Sequence, residues 1–530
     1  MKASLAATVV ALTLVGDLAP AQSSVSLEVV ADGLSFPMWA GSPRGDDRIF
    51  VIEKDSGLIK IVRDGSVLET PFLDLSDKVY PISHSGMQSM AFHPNFEQNG
   101  QVFVYYTVDP DVEDNATIAR LERFTVSDDP DVVDPTSGLV ILEQLHFNPI
   151  HKGAGPAFGP DGLLYFAMGQ GGAPDCTELE LDNWFGKILR LDVDSATPYA
   201  IPADNPLIDV PGALPEIAHI GLRNPWRWSI DQETGAIYIG DVGNEVREEV
   251  HVIPGGELGW NLGWPVMEGV TCFLGDACGV EYPACFSPEI DAPEFDYGHM
   301  GQSRAVVGGY VYRGCALPEL VGSYLFCDYE SRQFWSMTWS ENEGVLGTQE
   351  VTQQIDPNGT LFLPVSFGED GNGEILIVTY LGTVYRIVPT TPAPGIADCN
   401  RNGLDDVCEI SAGTLADLNF DGIPDDCGPL SSDIPSLSVS LGGAQGLELA
   451  APGLAGKSYV FLGSSSGTAP GVDLGGAFVA LGLPDVYFDF LLSDLSNGPL
   501  TDGFGVLDAN GRASATFALP PGSPRRASQA

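Results

Sequence analysis

Positive charge is scarce in this 530-residue sequence. It contains 24 Lys and Arg against 72 Asp and Glu, which gives a formal net charge of −48 at pH 7. Nucleic acids and anionic membrane surfaces are bound through basic side chains, so this balance argues against both as partners. The excess of carboxylates suits calcium binding or a salty medium, and composition alone does not separate these two.

Long hydrophobic runs are also lacking. Beyond the N-terminus no segment has the ~18 uninterrupted apolar residues of a membrane-spanning helix. Residues 1–21 differ: Lys2 precedes a short uncharged apolar stretch, 3–16, and the small residues Ala19 and Ala21 follow at cleavage-site spacing. This pattern is typical of a secretory signal peptide, and the run is too short for a membrane anchor. We therefore expect no membrane span and an exported protein that is periplasmic, secreted or at the cell surface.

Export makes disulfides permissible. The chain has nine Cys, and an odd number leaves at least one thiol unpaired within the chain or paired with another chain. Their connectivity cannot be read from the sequence.

Glycine and proline are abundant, with 63 Gly and 40 Pro, and this favours short strands joined by turns. From about residue 26 to 388 a turn rich in Asp, Gly and Asn recurs before a short apolar strand. The six predicted strands are 48–51, 101–104, 163–166, 236–239, 323–326 and 374–377. Radial repetition explains six such units better than a two-sheet sandwich does, so region 26–388 is predicted to be a six-bladed β-propeller in an all-β protein.

Residues 389–429 are predicted to be a Pro-rich linker followed by calcium repeats. The first repeat matches the spacing of a calcium loop at every required position, and its predicted ligands are Asp398, Asn400, Asn402, the Leu404 carbonyl, Asp406 and Glu409. The second repeat lacks the final Glu because Gly428 stands there, and its weaker set of predicted ligands is Asp417, Asn419, Asp421, Ile423 and Asp425. The pair resembles extracellular calcium repeats of the thrombospondin type 3 or dockerin kind, so we expect a calcium-stiffened spacer.

Residues 430–530 alternate apolar and small polar residues and predict a small C-terminal β-sandwich. This region contains neither His nor Cys, so it is assigned no chemistry. It could serve an extracellular protein or carbohydrate partner, or simple anchoring.

Chemistry is expected in the propeller, in four stretches that are unusual for plain scaffold, at residues 86–96, 151–162, 221–227 and 240–244. A lone histidine such as His93 is more often structural than catalytic. His151 differs because Gly153 and other small residues follow it, which leaves the imidazole open to a ligand. Arg223 and Asn224 precede a proline on a bend, where both side chains can point inwards; a buried ion pair with a carboxylate is the alternative for Arg223.

Together these stretches resemble the glucose/sorbosone dehydrogenase family, and further matches lie at 186–192, 201–206, 263–269 and 308–314. The resemblance runs from about Leu34 to Val388. The family consists of six-bladed propellers and includes soluble quinoprotein aldose dehydrogenases, which use pyrroloquinoline quinone (PQQ) and calcium. It also includes hedgehog-interacting-protein-like members that are not known as sugar oxidases.

The resemblance implies a role for each matching residue. His151 falls at the general base that removes the proton of the anomeric hydroxyl while hydride passes to the quinone. Arg223 would stabilise negative charge on the quinone oxygen and Asn224 would bind the cofactor beside it. The main-chain carbonyls of Gly243 and Asn244 would hold the catalytic calcium. The implied function is hydride transfer from an aldose or related sugar to PQQ.

The sequence departs from the family pattern where it would meet the cofactor. His84 takes a cofactor-contacting position that is commonly Gln or Glu, Glu330 falls at or near a lysine, and Leu361 and Leu363 replace an arginine pair. PQQ carries three carboxylates, so lost cations weaken the case for it. The alternatives are therefore a non-catalytic propeller of the hedgehog-interacting kind that binds carbohydrate or protein, and a purely structural cell-surface protein.

Overall fold

We analysed a computed structural model of the chain. It describes residues 25–111, 115–173, 176–279, 282–299, 304–390, 430–432, 443–450, 458–460, 472–473, 478–479, 500–501, 504–506, 508 and 512–519. The chain divides into two compact units, Met1–Pro392 and Ala393–Ala530.

Six antiparallel sheets in the first unit are the blades of a β-propeller, numbered here one to six. Blade one contains Pro37–Gly41, Ile49–Glu53, Leu58–Arg63, Ser66–Val67 and Leu73–Asp74. Blade two contains Met87–Phe92, Gln101–Val108, Thr117–Val126 and Val133–His146. Blade three contains Gly155–Phe158, Leu164–Met168, Lys187–Leu191 and Ile217–His219.

The other three blades repeat the arrangement. Blade four contains Pro225–Ile230, Ile237–Asp241, Arg247–Ile253 and Phe295–Gly298. Blade five contains Val306–Val311, Ser323–Asp328, Phe334–Ser340 and Gly344–Glu350. Blade six contains Pro364–Glu369, Ile375–Thr379, Thr383–Pro389 and the N-terminal strand Val25–Ala31. The first strands of neighbouring blades contact one another, so they line the central channel.

Helices are few and short among the described residues. Two α-helical turns, three 3-10 turns and one extra strand pair lie in the connections: Phe96–Asn99, Thr352–Ile355, Thr177–Leu179, Gly275–Cys278, Pro318–Leu320, and Met267–Glu268 paired with Thr271–Cys272.

The ring is closed by pairing the two ends of the propeller. Val25–Ala31 is the outer strand of blade six and runs antiparallel to Thr383–Pro389, with Val25 opposite Pro389. Because closure uses strands far apart in sequence, blade six forms only when both are present.

The six strands predicted from the sequence are confirmed, and each proves to be the second strand of its blade. These strands read as continuous apolar runs because they are buried between neighbouring blades; every residue of Ile49–Glu53 and of Ile375–Thr379 is buried. A strand covered on both faces needs no polar alternation, which is why these six stood out.

Strand direction gives the propeller two distinct faces. We call the face that carries two kinds of segment the upper face: the segments that lead into the first strands, and the hairpins between the second and third strands. The lower face carries the hairpins between the first and second strands. Because the strands alternate in direction, residues 147–154, 220–224 and 242–246 share the upper face, whereas 93–100 and 231–236 lie on the lower face.

Two disulfides fasten the long connection 254–294 of blade four. Cys176 bonds to Cys278, and Cys272 bonds to Cys285. Cys327 is a buried free thiol. No helix among the described residues is long and apolar enough to cross a membrane.

The second unit contributes only β-structure in its described segments. Leu430–Ser432, Gly443–Ala450, Arg512–Leu519 and Leu500–Thr501 form a four-stranded antiparallel sheet. Two further pairs join Ser458–Val460 with Phe504–Val506, and Val472–Asp473 with Phe478–Val479. This agrees with the all-β prediction; residues 1–21 and the calcium repeats lie outside the described residues.

Candidate functional site

The segment that carries His151 is held by a second loop on the upper face. The His151 carbonyl accepts from the Gly171 N–H at 2.9 Å, and the Lys152 carbonyl accepts from the Gly169 N–H at 3.3 Å. A Cβ at Gly153 would lie 2.5 Å from the Gly169 nitrogen, and Gly153 has φ +80°. The glycine is therefore required by the close approach of the two backbones; it does more than leave the imidazole open.

Gln170 orients the imidazole. Its Oε1 lies 3.1 Å from Nδ1 of His151. With the amide in this orientation the oxygen accepts, which assigns the proton to Nδ1. The Nε2 lone pair is then left available. The Gln170 backbone N–H donates to the Arg223 carbonyl at 2.8 Å, so one residue connects the histidine to the arginine. Sequence reasoning missed Gln170; the Gly-Gln-Gly-Gly run after a buried strand was its only signal.

Arg223 and Asn224 are fixed by one buried carboxylate. The two oxygens of Asp241 accept from the backbone N–H groups of Arg223 at 2.9 Å and Asn224 at 2.7 Å. The Asn224 side-chain oxygen then accepts from the Gly153 N–H at 3.2 Å. Asp241, which the sequence analysis did not single out as a site residue, thus joins the arginine bend to the His151 segment.

The Arg223 guanidinium forms no ion pair with the described residues. It donates to the Val242 carbonyl at 2.9 Å and to the Asn244 side-chain oxygen at 3.0 Å, and it lies 5.5 Å from the Trp264 ring centre. Its exposure is only 8%. The ion-pair alternative is therefore not what is observed, and a buried cation without a direct counter-charge is suited to an anionic ligand.

Gly243 and Asn244 belong to a loop wrapped around one carboxylate. Glu268 Oε1 accepts from the backbone N–H groups of residues 244–247 at distances of 2.7, 3.0, 2.8 and 3.0 Å. The C=O and N–H of a trans peptide point in opposite directions. The Gly243 and Asn244 carbonyls are therefore directed away from Glu268, to the outside of the loop, and oxygen atoms of this kind are what a hard cation prefers.

Burial controls the electrostatics of this site. It lowers the pKa of His151 to about 3, with the positive charge of Arg223 as the next cause. Burial also lowers the pKa of Arg223, and Asp241 and Glu248 act in the opposite direction. The His151 imidazole is therefore neutral throughout the physiological range.

His84 lies at the exposed margin of the same site. Its backbone N–H donates to the Pro149 carbonyl at 3.1 Å, and its charge contributes to the lowered pKa of His151. Burial and then Lys54 lower the pKa of His84 itself. The structure thus brings His84 close to His151 on the upper face.

The departures from the family pattern lie on blades five and six. Glu330 is exposed and Leu361 is buried. Neither side chain carries a positive charge that could bind a carboxylate. Arg332 does, and its guanidinium carbon lies 5.1 Å from the ring centre of the exposed Phe362.

The fit of the implied ligands can be tested on these observations. The outward Gly243 and Asn244 carbonyls suit a calcium ion, and Arg223, which has no direct ion pair with the described residues, suits an anionic group. In the described part of the chain no group of three His, Cys, Asp or Glu could hold a metal, so main-chain oxygens would carry the propeller calcium. The predicted ligands of both calcium repeats lie outside the described residues and remain a prediction.

Comparison with known proteins gives the family. The model of the family described as Glucose / Sorbosone dehydrogenase matches residues 34–377. The HIPL1 protein of Arabidopsis thaliana is 30% identical over 69% of this chain and 63% of its own length. The human Hedgehog-interacting protein is 30% identical over 68% of this chain and 52% of its own length. The chain thus spans between about half and two-thirds of these relatives.

Solved structures agree on the fold. The apo form of the soluble aldose sugar dehydrogenase of Escherichia coli superposes with a TM-score of 0.56 at 20% identity, over 69% of this chain and 99% of that one. The PQQ-bound aldose sugar dehydrogenase of Streptomyces coelicolor gives 0.52 at 18% identity, over 69% of this chain and 98% of that one. With the matched residues and the six blades, these findings show that the chain belongs to the glucose/sorbosone dehydrogenase family.

Proposed function

We propose that the upper face of the propeller oxidises an aldose or a related sugar with PQQ and calcium. The observation that carries the proposal is that Gln170 connects the His151 imidazole to the backbone of Arg223, while Nε2 of the histidine and the arginine guanidinium have no ion pair with the described residues. A base and a fixed positive charge at one site are what removal of a hydroxyl proton and stabilisation of an oxyanion require.

His151 would accept the proton of the anomeric hydroxyl at Nε2. Gln170 would keep the other ring nitrogen protonated and the ring in place, so the lone pair always faces the pocket. Its low pKa makes His151 a weak base, which a bound anion beside it would strengthen by offsetting the Arg223 charge.

Arg223 and Asn224 would hold the cofactor, with His84 at the margin and calcium on the Gly243 and Asn244 carbonyls. When bound, PQQ supplies the hydride acceptor and calcium a Lewis acid. Arg332 on the same face is the cation that would partly replace those missing at Glu330, Leu361 and Leu363.

The test is to add PQQ and calcium to the purified full chain and to assay dye reduction with a panel of sugars. PQQ binding is followed separately by its absorbance change, so that binding and turnover are distinguished. We expect calcium-dependent binding and turnover of at least one aldose. Absence of PQQ binding in the presence of calcium would exclude the quinoprotein reaction.

A second candidate function is a binding propeller of the hedgehog-interacting kind. It is favoured by exposed apolar side chains on the same face, Phe36 at 43%, Phe362 at 48% and Leu381 at 64% exposure, and by the 30% identity to Hedgehog-interacting protein. An apolar patch beside a channel suits a protein or carbohydrate ligand. Failure to bind PQQ would support the binding propeller. Binding of PQQ without turnover of any sugar would not support it.

We further propose that the protein is exported. The disulfides Cys176–Cys278 and Cys272–Cys285 are the support, because such bonds persist in oxidising compartments. The C-terminal unit would then meet an extracellular protein or carbohydrate. Mass spectrometry of the mature N-terminus checks the proposal: cleavage after Ala21 is expected.

A further inference from the structure

The channel of the propeller has a second cavity at its lower mouth, separate from the His151 site. Its volume is about 1320 Å³. Its walls come from the lower halves of the first strands and from the hairpins that follow them, among them Trp39, Phe92, Tyr310 and Glu369.

Two side chains of blade four bridge the channel above this cavity. Trp226 reaches blade six, where Nε1 donates to the Val365 carbonyl at 3.1 Å. Arg227 reaches blades one and two, where Nη2 donates to the carbonyls of Met38 and Gln88. A register shift in the first strand of blade four and a φ of +68° at Arg227 turn these neighbours in different directions. These contacts cross the channel between the lower cavity and the His151 site.

Glu369 is the notable group on the cavity wall. Its carboxylate forms no hydrogen bond or ion pair with the described residues, although it is largely buried. Nearby carboxylates are neutralised: Asp231 pairs with Arg313 at 2.6 Å and Asp370 with Arg386 at 2.9 Å. A recessed carboxylate without a partner needs a cation or a proton.

Three aromatic rings face the same space. Trp39, Phe92 and Tyr310 are each partly exposed, and the Trp39 and Phe92 rings lie 6.5 Å apart. Aromatic faces attract cations through the ring quadrupole, and quaternary ammonium groups are commonly bound in this way. The net charge of −48 also concentrates cations around the protein.

Three arginines line the cavity and oppose a cation: Arg44, Arg48 and Arg227. Arg48 is neutralised by ion pairs with Asp46 at 2.6 Å and Asp131 at 2.9 Å. Arg227 also lines the cavity, but its Nη2 donates to the Met38 and Gln88 carbonyls and its guanidinium carbon lies 4.5 Å from the Trp226 ring centre, so carbonyl dipoles and the ring face offset part of its charge. Arg44 is exposed at the rim, where solvent screens it.

We propose that the lower cavity binds a small organic ammonium ion, with Glu369 as its counter-charge and Trp39, Phe92 and Tyr310 as its aromatic wall. The site is independent of the sugar oxidation proposed for the upper face. Choline and putrescine represent the quaternary and primary ammonium classes.

Proton linkage distinguishes this ligand from an uncharged one. Burial raises the pKa of Glu369 to about 8, and Asp231 and Asp370 raise it further while Arg44 and Arg313 lower it. Tyr310, which also faces Glu369, has its pKa raised by burial and stays neutral. A cation must displace the Glu369 proton, so its affinity should fall about tenfold per pH unit below pH 7. An uncharged sugar should show no such fall.

The experiment is calorimetric titration of the full chain with choline, putrescine and glucose at pH 6 and pH 8, with matched sodium chloride as the salt control. We expect Glu369→Gln to weaken ammonium binding at pH 8 by at least about tenfold. Glu97→Gln, which removes one charge from the exposed rim, should change the affinity less than about twofold. His151→Ala should leave it unchanged.

Glu369→Gln should fold, because glutamine resembles the protonated carboxyl. An unchanged thermal midpoint of unfolding checks this. The proposal is overturned if wild type binds neither ammonium ion at about 10 mM. It is equally overturned if Glu369→Gln binds as well as wild type, or if affinity is the same at pH 6 and pH 8. Loss of dye reduction with intact ammonium binding would reject the upper-face proposal alone.

Discussion

At the scale of single residues, two histidines of the propeller differ in what holds them. Nδ1 of His93 lies within hydrogen-bond distance of the Asn95 backbone N–H at 3.0 Å and the Asn99 amide at 2.8 Å, and Nε2 lies 3.2 Å from Asp194. Both nitrogens are thus engaged, which fits the structural role inferred from sequence. His151 has one nitrogen engaged and the other available.

His151→Ala should therefore reduce any sugar oxidation by about 10²–10⁴, the usual contribution of a general base, while PQQ binding stays largely intact. Steady-state dye reduction on calcium-loaded protein measures the first effect, and PQQ absorbance measures the second. His93→Ala, on the lower face, is the control and should retain turnover. Equal turnover by His151→Ala and wild type would show that the base has been misassigned.

Acid sensitivity is a second property set by individual residues. His146 is fully buried, neither ring nitrogen has a hydrogen-bond partner among the described residues, and burial holds its pKa well below 6.5. The folded state keeps this imidazole neutral while the unfolded chain protonates it near pH 6.5. Its contribution to stability is therefore present above pH 6.5 and is lost as pH falls below that value.

We expect His146→Leu to reduce the acid dependence of stability by about 1.4 kcal/mol per pH unit between pH 6.5 and 5. Thermal midpoints of wild type and variant across that range measure it. At pH 7.5 the variant should be at least as stable, because it removes two unsatisfied polar atoms. Parallel pH curves for the two proteins would contradict the prediction.

At the scale of elements, the pairing of segment 151–153 with segment 169–171 makes the site. Gly153→Ala would force a Cβ to 2.5 Å from the Gly169 nitrogen at φ +80°. The two segments must separate, so the contact between His151 and Gln170 should be lost together with turnover. We expect destabilisation by more than the ~1–2 kcal/mol that a left-handed backbone alone costs an L-residue.

The matched control is Gly162→Ala. Gly162 has nearly the same backbone angle, φ +79°, but nothing lies within 4 Å of the added Cβ. Gly162→Ala should therefore lower the stability only by the cost of the left-handed backbone, and its turnover should be unchanged. Thermal melts and dye reduction on both variants separate close approach from backbone strain; equal effects would refute the close-approach explanation.

At the scale of the whole molecule, the charge of −48 is distributed over two compact units. The predicted calcium repeats at 389–429 would neutralise part of it, with Asp398, Asp406 and Glu409 as charged ligands of the first loop. Extracellular calcium modules bind at about 10⁻⁴–10⁻³ M, so this loop should fill in calcium-rich media.

The prediction is checked by calcium calorimetry on the full chain and on the double variant Asp398→Asn, Glu409→Gln. We expect the variant to lose one site in that affinity range while the propeller calcium remains. PQQ binding by the double variant is the control for the propeller site, and we expect it to be unchanged. Identical calcium stoichiometry in the two proteins would disprove the repeat.

The sequence by itself determined the blades and supplied candidate residues for the site. Six buried second strands were readable because a strand covered on both faces is a local apolar run, and the turns before them are local as well. His151, Arg223 and Asn224 could be named from short stretches, and the structure brings them together.

Only the tertiary structure decided how those residues act. Gln170 contacts His151 across 19 residues, Asp241 reaches Arg223 across 18, and Cys176 bonds to Cys278 across 102. The lowered pKa of His151 and the unpartnered carboxylate of Glu369 depend on burial by several blades at once. Local sequence patterns indicate which face of a strand is covered, but they do not indicate which distant segment covers it. The identity of that distant segment determines the hydrogen bonds, the disulfides and the pKa values.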